Sequence, residues 1–542
     1  MQADTSPPRP PRILLLPDKR GWAFDNCAQA LRKHLKNDFQ FDIRYTKDRR
    51  PFRADGYDLV YVFFWGEELY KAMSINSDRL IKRLASHRWE EAPYGPCTPR
   101  QLVKKYLCDA AVVHCTSKRL HEAIHQFHPT TYQLTNGYDE QQFRMVKPRQ
   151  GHLVIGWAGK LKDPVKDVER LLRPACRDQF DLRIAPGNVP HQEMNAFYNQ
   201  VDVIAVTSRH EGQPMPLIEA MASGCFPVAT DVGIVPEVVR HGVNGLIIPE
   251  RTPEAFQAAF QWCEENLELV RTAGRTNAEK MRNEYRWEVV APRYRAMFSD
   301  ALARANRPKF RNDDVSWDTP FNDFREFCQA FWRHHFVQVH GVTLRGRTCV
   351  FATFGPDGTQ YEGVAPLSKL PNSEIRRLSQ PYRFEERRDL IDFLAASPDE
   401  IALHGLYHTD HSVMSETELR SEISEGLELL DRLFPNKIVR YFIAPFNRTS
   451  EALLDVCRTL NLEVLGAQGL HLEQRIEEVV IEPNTWYRYH HHRFYPESTS
   501  AFYPTTMESL RKALARRCAV PGESRSDSDK TSDSRSAPHK AA

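Results

Sequence analysis

Short apolar runs alternate with amphipathic segments along residues 13–145. ILLLP at 13–17, FDIRYT at 41–46, LVYVFF at 59–64, AAVVHCTS at 110–117 and TTYQLTNG at 130–137 read as strands. LVYVFF is almost continuously apolar, as strands covered on both faces of a parallel sheet are. NCAQALRKHL at 26–35 has the spacing of an amphipathic helix. A second series opens with HLVIGWAG at 152 and continues through DLRIAPG, VDVIAVTS, CFPVATD and NGLIIP, with helices expected over 253–265 and 276–304. Alternation of this kind predicts two Rossmann-like α/β halves, 13–148 and 149–304, facing each other across a cleft. The first strand-to-helix loop lacks G-x-G-x-x-G, so it carries no dinucleotide fingerprint.

The pattern changes after Ala301. A charged, proline-containing linker near 305 leads into a second region, 305–500. Here RNDDVSWDTP supplies adjacent Asp313 and Asp314, EIALHGLYHTDH supplies His404 and His408, and VRYFIAPFN at 439 reads as a strand ending at a proline. ETELRSEISEGLELLDRLF reads as an acidic amphipathic helix. TMESLRKALARRC at 506–518 reads as a short basic helix within a terminal stretch 501–519. Its positive face could touch anionic lipid or be solvated. The ends, 1–12 and 520–542, are polar and expected to be disordered.

Composition narrows the function classes. A net charge of +2 over 542 residues gives no global pull toward nucleic acid. Eleven cysteines without a C-x-x-C pair fit reduced thiols better than a disulfide framework. The N-terminus has no apolar core of a signal peptide, and no apolar run approaches the ~20 residues of a membrane span. The expectation is a cytoplasmic protein, with at most peripheral contact at the inner face of a membrane.

Candidate chemistry sits in two places. From Arg209 to Pro249, Glu211 and Glu219 stand eight positions apart, with Gly212, Pro214 and Pro216 between them. A loop entering a helix leaves backbone N–H groups free for an anion. Glu219, about two turns in, could accept hydrogen bonds from sugar hydroxyls; the plain alternative is an αβ unit with an exposed Glu at each end. In the second region, two imidazoles and a carboxylate suit a divalent metal with positions open to water. Adjacent aspartates suit a split role, one on the metal and one taking a proton. A bound metal lowers the pKa of its water towards neutrality.

The first region resembles the family 4 glycosyltransferases, retaining enzymes of the GT-B fold. EGQPMPLIEAMASGCFPV matches the family signature E-G-x-P-x-x-x-x-E-A-M-A-x-G-x-P-V, and NGYDEQQF, GWAGKLKDPVKDVERLL and GVNGLIIP resemble three further family motifs in the same order. The resemblance spans about 290 residues. It implies a nucleotide-sugar donor, UDP- or GDP-linked, on the second half and a glycan or lipid-linked acceptor. Glu219 would hold the ribose, with Gly212, Gln213 and Pro214 beside the donor. Glu211 would hold the transferred sugar, and Gly21 would face the diphosphate. Trp22 either joins that loop's role or belongs to the core, and His87 stands near the acceptor or is a plain loop histidine. Lys160 and Lys166 would stabilise the leaving diphosphate in place of a metal. Lys160 replaces a common Arg, and Asp167 follows Lys166 where the family has Gly.

The second region resembles the polysaccharide deacetylase superfamily, carbohydrate esterase family 4 and its distant relatives. The order D-D, H-x-x-x-H, a strand ending in proline and a late His recurs over about 190 residues. The resemblance implies a distorted (β/α) barrel in which Asp314, His404 and His408 hold zinc or a similar divalent metal. Asp313 would be the general base, Pro445 and Phe446 would line the pocket, and His490 or His491 would be the general acid. RNDDV replaces the usual T-F-D-D-G, and HGLYH the usual H-S/T-x-x-H. Asp318 is a rival ligand, and a metal-free remnant that only binds a glycan is the alternative. Of His490, His491 and His492, one is expected to point inward and two outward on a strand. Together the resemblances imply a glycosyltransferase fused to a metal-dependent sugar N-deacetylase in surface polysaccharide or lipopolysaccharide assembly. A sugar-binding module without turnover is the other class of reading.

Overall fold

A strand that the hydropathy pattern hides, Leu80–Leu84 (LIKRL), runs through the middle of the first sheet. Lys82 and Arg83 interrupt its apolar signal, yet both are buried. Lys82 Nζ donates to Tyr106 O at 2.5 Å and to Asp109 Oδ1 at 2.6 Å, which offsets the desolvation of its charge. The computed structural model describes residues 9–48, 53–66, 75–177, 179–346, 367–472, 476, 479–494 and 506–516. Of the tails expected at 1–12 and 520–542, residues 1–8 and 520–542 lie outside the described residues, while Arg12 already belongs to the first strand.

The first half is a six-stranded parallel sheet made of β1 (Arg12–Leu16), β2 (Gln40–Ile43), β3 (Leu59–Val62), β4 (Leu80–Leu84), β5 (Val112–Cys115) and β6 (Thr131–Gln133), in the order β2-β1-β3-β4-β5-β6. The second half is a five-stranded parallel sheet of β7 (Val154–Gly159), β8 (Asp181–Pro186), β9 (Val203–Val206), β10 (Phe226–Thr230) and β11 (Leu246–Ile248), in the order β11-β10-β9-β7-β8. Each order reverses direction beside its first strand, β1 in one sheet and β7 in the other. The crevice outside the carboxyl ends of the strands at such a point is where open α/β sheets take ligands.

The helix expected at 276–304 is two helices, Leu267–Glu284 and Trp287–Ala305, broken at Tyr285–Arg286. The second does not close its own half. Its Trp287, Val290, Tyr294, Met297, Phe298 and Ala301 are buried with Leu15, Tyr61 and Phe63 in the core of the first sheet. The chain thereby crosses back to the half it began in. Gly137 permits the crossing, because a Cβ there would lie 2.7 Å from the Trp287 ring.

The chain divides into two compact units, residues 1–306 with 401–465, and residues 307–400 with 466–542. The remaining strands are β12 (Lys309–Val315), β13 (Gln338–Val342), β14 (Glu400–Leu403), β15 (Tyr441–Ile443), β16 (Glu463–Leu465), β17 (Leu470–His471) and β18 (Trp486–His490). In the first unit β14, β15 and β16 run parallel as neighbours. Arg100 and Lys104 of the first half both pair with Asp431 of this segment. In the second unit the order is β13-β12-β18-β17, again parallel. Among the described pairings none closes these strands into a barrel. The helix expected at 506–518 is Met507–Ala515; it buries Leu510, Ala513 and Leu514, and Arg511 pairs with Glu326. No helix among the described residues is long and apolar enough to cross a membrane.

Candidate active site

A cavity of about 400 Å³ opens between the two halves of the first unit. Gly21 and Trp22 reach it from the loop after β1, and Gly159 and Lys160 from the end of β7, so both switch-point loops face the same space. Gly21 has φ +72°, and its N–H donates to Asp25 Oδ2 at 2.7 Å. Asp25 also accepts from Tyr45 Oη at 2.9 Å and from Gln29 Nε2 at 3.0 Å, which fixes the loop. Trp22 is not core: it is partly exposed on the cavity wall, with Lys19 Nζ 4.7 Å and Lys160 Nζ 5.7 Å from its rings.

Glu219 also lines the cavity, from the helix Met215–Ala222, and is 6% exposed. Both carboxylate oxygens are engaged. His191 Nε2 lies 2.9 Å from Oε1, and Tyr198 Oη donates to Oε2 at 3.0 Å. Burial, together with the Glu219 charge, pushes the Tyr198 phenol well above its ordinary pKa. Burial pulls the His191 imidazole down, but the hydrogen bond and charge of Glu219, with Asp139 adding to them, leave it raised.

Glu211 and Lys166 meet each other rather than the cavity. Lys166 Nζ forms an ion pair with Glu211 Oε1, and Ser208 Oγ donates to the same oxygen at 2.7 Å. The remaining residues of the expected donor grip hold the halves together. A Cβ on Gly212 would lie 2.2 Å from Thr116 Oγ1 and 2.3 Å from Ala85 O, so this glycine lets the second half approach the ends of β4 and β5. Gln213 is buried and bonds the backbone of Asn136 twice: its Oε1 accepts from Asn136 N at 2.5 Å, and its Nε2 donates to Asn136 O at 2.9 Å. Pro214 caps the helix start. His87 is also a link between halves, with Nε2 3.2 Å from Arg209 O, and burial lowers its pKa. Of the expected donor-side residues, then, the structure brings Gly21, Lys160 and Glu219 to one cavity and pairs Lys166 with Glu211. His191, Tyr198 and Gln142 were missed. For His191 and Tyr198 the only sequence signal is position, in the loop and helix after β8, whereas Gln142 lies within the NGYDEQQF motif, which did not single it out.

In the first unit, H-x-x-x-H takes the strand-to-loop exit rather than a helix. His404 follows β14, and its Nε2 lies 3.1 Å from His408 Nε2. His404 Nδ1 lies 2.9 Å from Ile443 O, so Nδ1 carries a proton and Nε2 presents a lone pair. Phe446, at φ +56°, sets its ring edge-on to His408 at 4.6 Å. His411 and Thr409 both contact Glu422 Oε1, at 3.2 and 2.9 Å, which fixes the loop from behind.

In the second unit, Asp313 is gripped by Arg311, two residues before it on β12. Nε and Nη2 each donate to one carboxylate oxygen at 2.7 Å. Asp314 is 2% exposed and has φ +68°, at a register shift between Asn312 and Val315. A bulge of this kind re-aims a side chain. His490 Nε2 stands 3.6 Å from Asp314 Oδ2. His491 is locked in the core: Nδ1 is 3.1 Å from Asn312 Oδ1, Nε2 is 3.4 Å from Thr319 Oγ1, and burial drives its pKa well down. The strand ends at His490, so His491 and His492 begin a turn of 3₁₀ helix instead of alternating, and both are buried. Asp318 accepts from Ser316 Oγ at 2.5 Å in the turn after β12. A second cluster, Cys328, His340 and Asp399, has ligand spacing. It is a hydrogen-bonded knot: Asp399 accepts from Trp332 Nε1 and Gln338 N, and His340 spends its nitrogens on Asp399 and Asn312.

The class follows from comparison with known proteins. Residues 183–281 match the model of the glycosyl transferases group 1 family. The chain is similar to a D-inositol 3-phosphate glycosyltransferase of Corynebacterium glutamicum, with 30% identity over 117 residues, 22% of this chain and 28% of that one. It is also similar to an N-acetyl-alpha-D-glucosaminyl L-malate synthase of Bacillus anthracis, with 32% identity over 103 residues, 19% of this chain and 26% of that one. The chain spans about three-tenths of the length of the curated relatives it matches. Among solved structures, a sucrose-phosphate synthase of Thermosynechococcus elongatus aligns over 54% of this chain and 99% of its own, with 16% identity and a TM-score of 0.44. Anabaena HepE in complex with UDP and glucose aligns over 54% and 100%, with 16% identity and a TM-score of 0.42.

Proposed function

We propose that residues 13–304 transfer a sugar, with retention, from a nucleotide-sugar to a glycan or lipid-linked acceptor. One observation carries this reading: both switch-point loops and the Glu219 carboxylate border one cavity, of a size that suits a small ligand. The family match over 183–281 supports the same reading. Glu219 would accept the ribose hydroxyls. Lys160 would face the diphosphate, where a cation stabilises charge developing on the leaving group. Glu211 and Lys166, paired to each other, would take the transferred sugar and the phosphate when the donor separates them. Neither role requires a metal. The test is thermal shift with UDP- and GDP-sugars, because a specific ligand raises stability by mass action, followed by nucleotide release with a glycan acceptor. The wild-type chain is expected to respond to one nucleotide class, and Glu219→Ala to lose at least about tenfold in affinity, the loss of one charged hydrogen bond. No shift with any donor overturns the reading.

A second activity is favoured by the pair of facing imidazoles. His404 commits Nδ1 to Ile443 O and turns its other nitrogen to His408, the orientation that a metal-ligating histidine takes from a backbone carbonyl. On this reading Asp314, His404 and His408 hold a divalent cation, zinc or similar, which supplies an acidified water. Asp313, oriented by Arg311, takes a proton. His490 returns one to the leaving amine of a sugar amide such as N-acetyl. His491, with both nitrogens engaged, is left out of the proton path. Metal analysis of the purified chain tests this; a chain without metal would be a glycan-binding domain beside an active transferase. The pairing of modules suits surface polysaccharide or lipopolysaccharide assembly in the cytoplasm, at the inner face of a membrane where the acceptor is lipid-linked.

A further inference from the structure

Glu219 is held by more than its helix. A carboxylate offers about four lone-pair sites, two on each oxygen. Tyr198 takes one on Oε2 and His191 takes one on Oε1, which leaves one on each oxygen. Two remaining acceptors on one rigid carboxylate match the two donors of a vicinal diol. Tyr198 is fully buried and always a donor here. His191 is half-buried on the cavity wall, and its imidazole can donate from either nitrogen or from both, so its bond to Glu219 depends on the tautomer.

Glu219, a carboxylate that can only accept, and Gln142 fix the same tautomer from the two sides of the ring. Gln142 Nε2 lies 2.5 Å from His191 O, a carbonyl that can only accept, so this atom is the amide nitrogen. The same nitrogen lies 3.1 Å from His191 Nδ1. One amide hydrogen goes to the carbonyl, and the other to Nδ1, which must then be the acceptor. The proton of the neutral ring is left on Nε2, aimed at Glu219. Phe143, next in the chain, packs edge-on against the same imidazole at 5.0 Å and keeps its plane.

We infer that His191 is a positioning residue for the donor site, a tautomer-fixed link through which Gln142, in the segment joining the two halves, orients Glu219 for the vicinal hydroxyls of a nucleotide ribose. The inference deepens the transferase reading and rests on it for the identity of the diol. It separates two parts of the NGYDEQQF segment. Asn136 is clamped by Gln213 and holds the halves together, while Gln142 acts on the donor carboxylate through a histidine 49 residues away.

Two measurements on the full chain test it. The first needs no ligand: imidazole ¹⁵N shifts of His191 at alkaline pH, assigned by the signal lost in His191→Gln. A protonated Nε2 with an unprotonated Nδ1 is expected, and Gln142→Leu, which takes away the donor to Nδ1, should move the Nδ1 signal while Glu219 keeps the proton on Nε2. An Nδ1-protonated ring in the wild type, or a signal unmoved by Gln142→Leu, overturns the proposal. The second is calorimetry with UDP and with GDP. His191→Phe fills the space without a donor and is expected to weaken binding of the preferred nucleotide about tenfold. His191→Gln restores a donor near the Nε2 position and should recover most of that loss. Equal affinities for the Phe and Gln variants overturn the positioning role. If the wild type binds neither nucleotide, the donor assignment falls and the inference with it, even where the ¹⁵N signal stands.

Discussion

At Asp314 backbone strain and burial coincide. Its left-handed conformation, φ +68°, sits on a strand whose neighbours are extended, and the side chain is sealed at 2% exposure. Asp and Asn tolerate this region better than other residues with a Cβ, and β-branched residues tolerate it worst. The strain is retained at a bulge that turns the carboxylate out of the strand's alternation, a pattern that points to function rather than to packing. Asp314→Asn keeps the shape and the conformational tolerance but loses the negative charge that the proposed metal site relies on. In the presence of a chelator its unfolding free energy in urea should stay within about 1 kcal/mol of the wild type's. Asp314→Val should lose about 1–3 kcal/mol. The proposed metal site predicts less bound cation in both variants than in the wild type, by metal analysis. An Asn variant as unstable as the Val variant would mean that the carboxylate, not the backbone, holds the bulge.

Gln213 does for two elements what Asp314 does for one strand. Its amide satisfies both backbone groups of Asn136, between the end of the first sheet and the helix that carries Glu219. Removing it leaves a buried N–H and a buried C=O without their partner, and each such group costs about 1–3 kcal/mol. Gln213→Ala should therefore lower urea stability by about 2 kcal/mol or more. Gln213→Met, which preserves volume, should fall nearly as far. A Met variant of wild-type stability would show that only the space matters. Elements of this kind mark how far the sequence could be read. Strands β1, β3, β5, β7, β9 and β10 stand where apolar runs announced them, because each is buried in a parallel sheet by residues that look buried, and the edge strands β8 and β11 stand at their announced positions too. β4 was hidden because Lys82 and Arg83 are inside, and nothing local tells of Asp109 waiting 27 residues on. Gly21, Lys160 and Glu219, which motif order groups together, do border one cavity. The Gln213 clamp and the His191 link were not legible, because both depend on which backbone groups fold against them. The Trp287–Ala305 helix was given to the wrong half for a similar reason: its apolar face does not say which sheet it covers.

For the molecule as a whole, the first sheet carries an acid-sensitive group in its core. His114 on β5 is fully buried and accepts at Nδ1 from Tyr61 Oη at 2.5 Å, while Nε2 lies 2.8 Å from Leu134 O. Both bonds suit the neutral ring. Burial, with the Arg83 guanidinium adding to it, lowers its pKa to about 3. In the unfolded chain the same side chain titrates near its ordinary value of about 6.5. Above that value neither state binds the proton and His114 contributes its full share to stability. As the pH falls below it, the unfolded state gains a proton that the folded state refuses, and stability drops until the folded pKa near 3 is reached. The slope is of order 1 kcal/mol per pH unit within that window. Carboxylates titrate over its lower part, so the informative interval is the upper part, from about pH 6.5 to about pH 5, where most of them stay ionised in both states. Urea unfolding across that interval should show stability falling with pH. His114→Gln cannot titrate, so its curve should be flatter by that same slope, whatever stability the variant loses near neutral pH from the changed contact with Tyr61. A slope equal to the wild type's would mean that the fold opens enough at β5 to hydrate the imidazole before it unfolds.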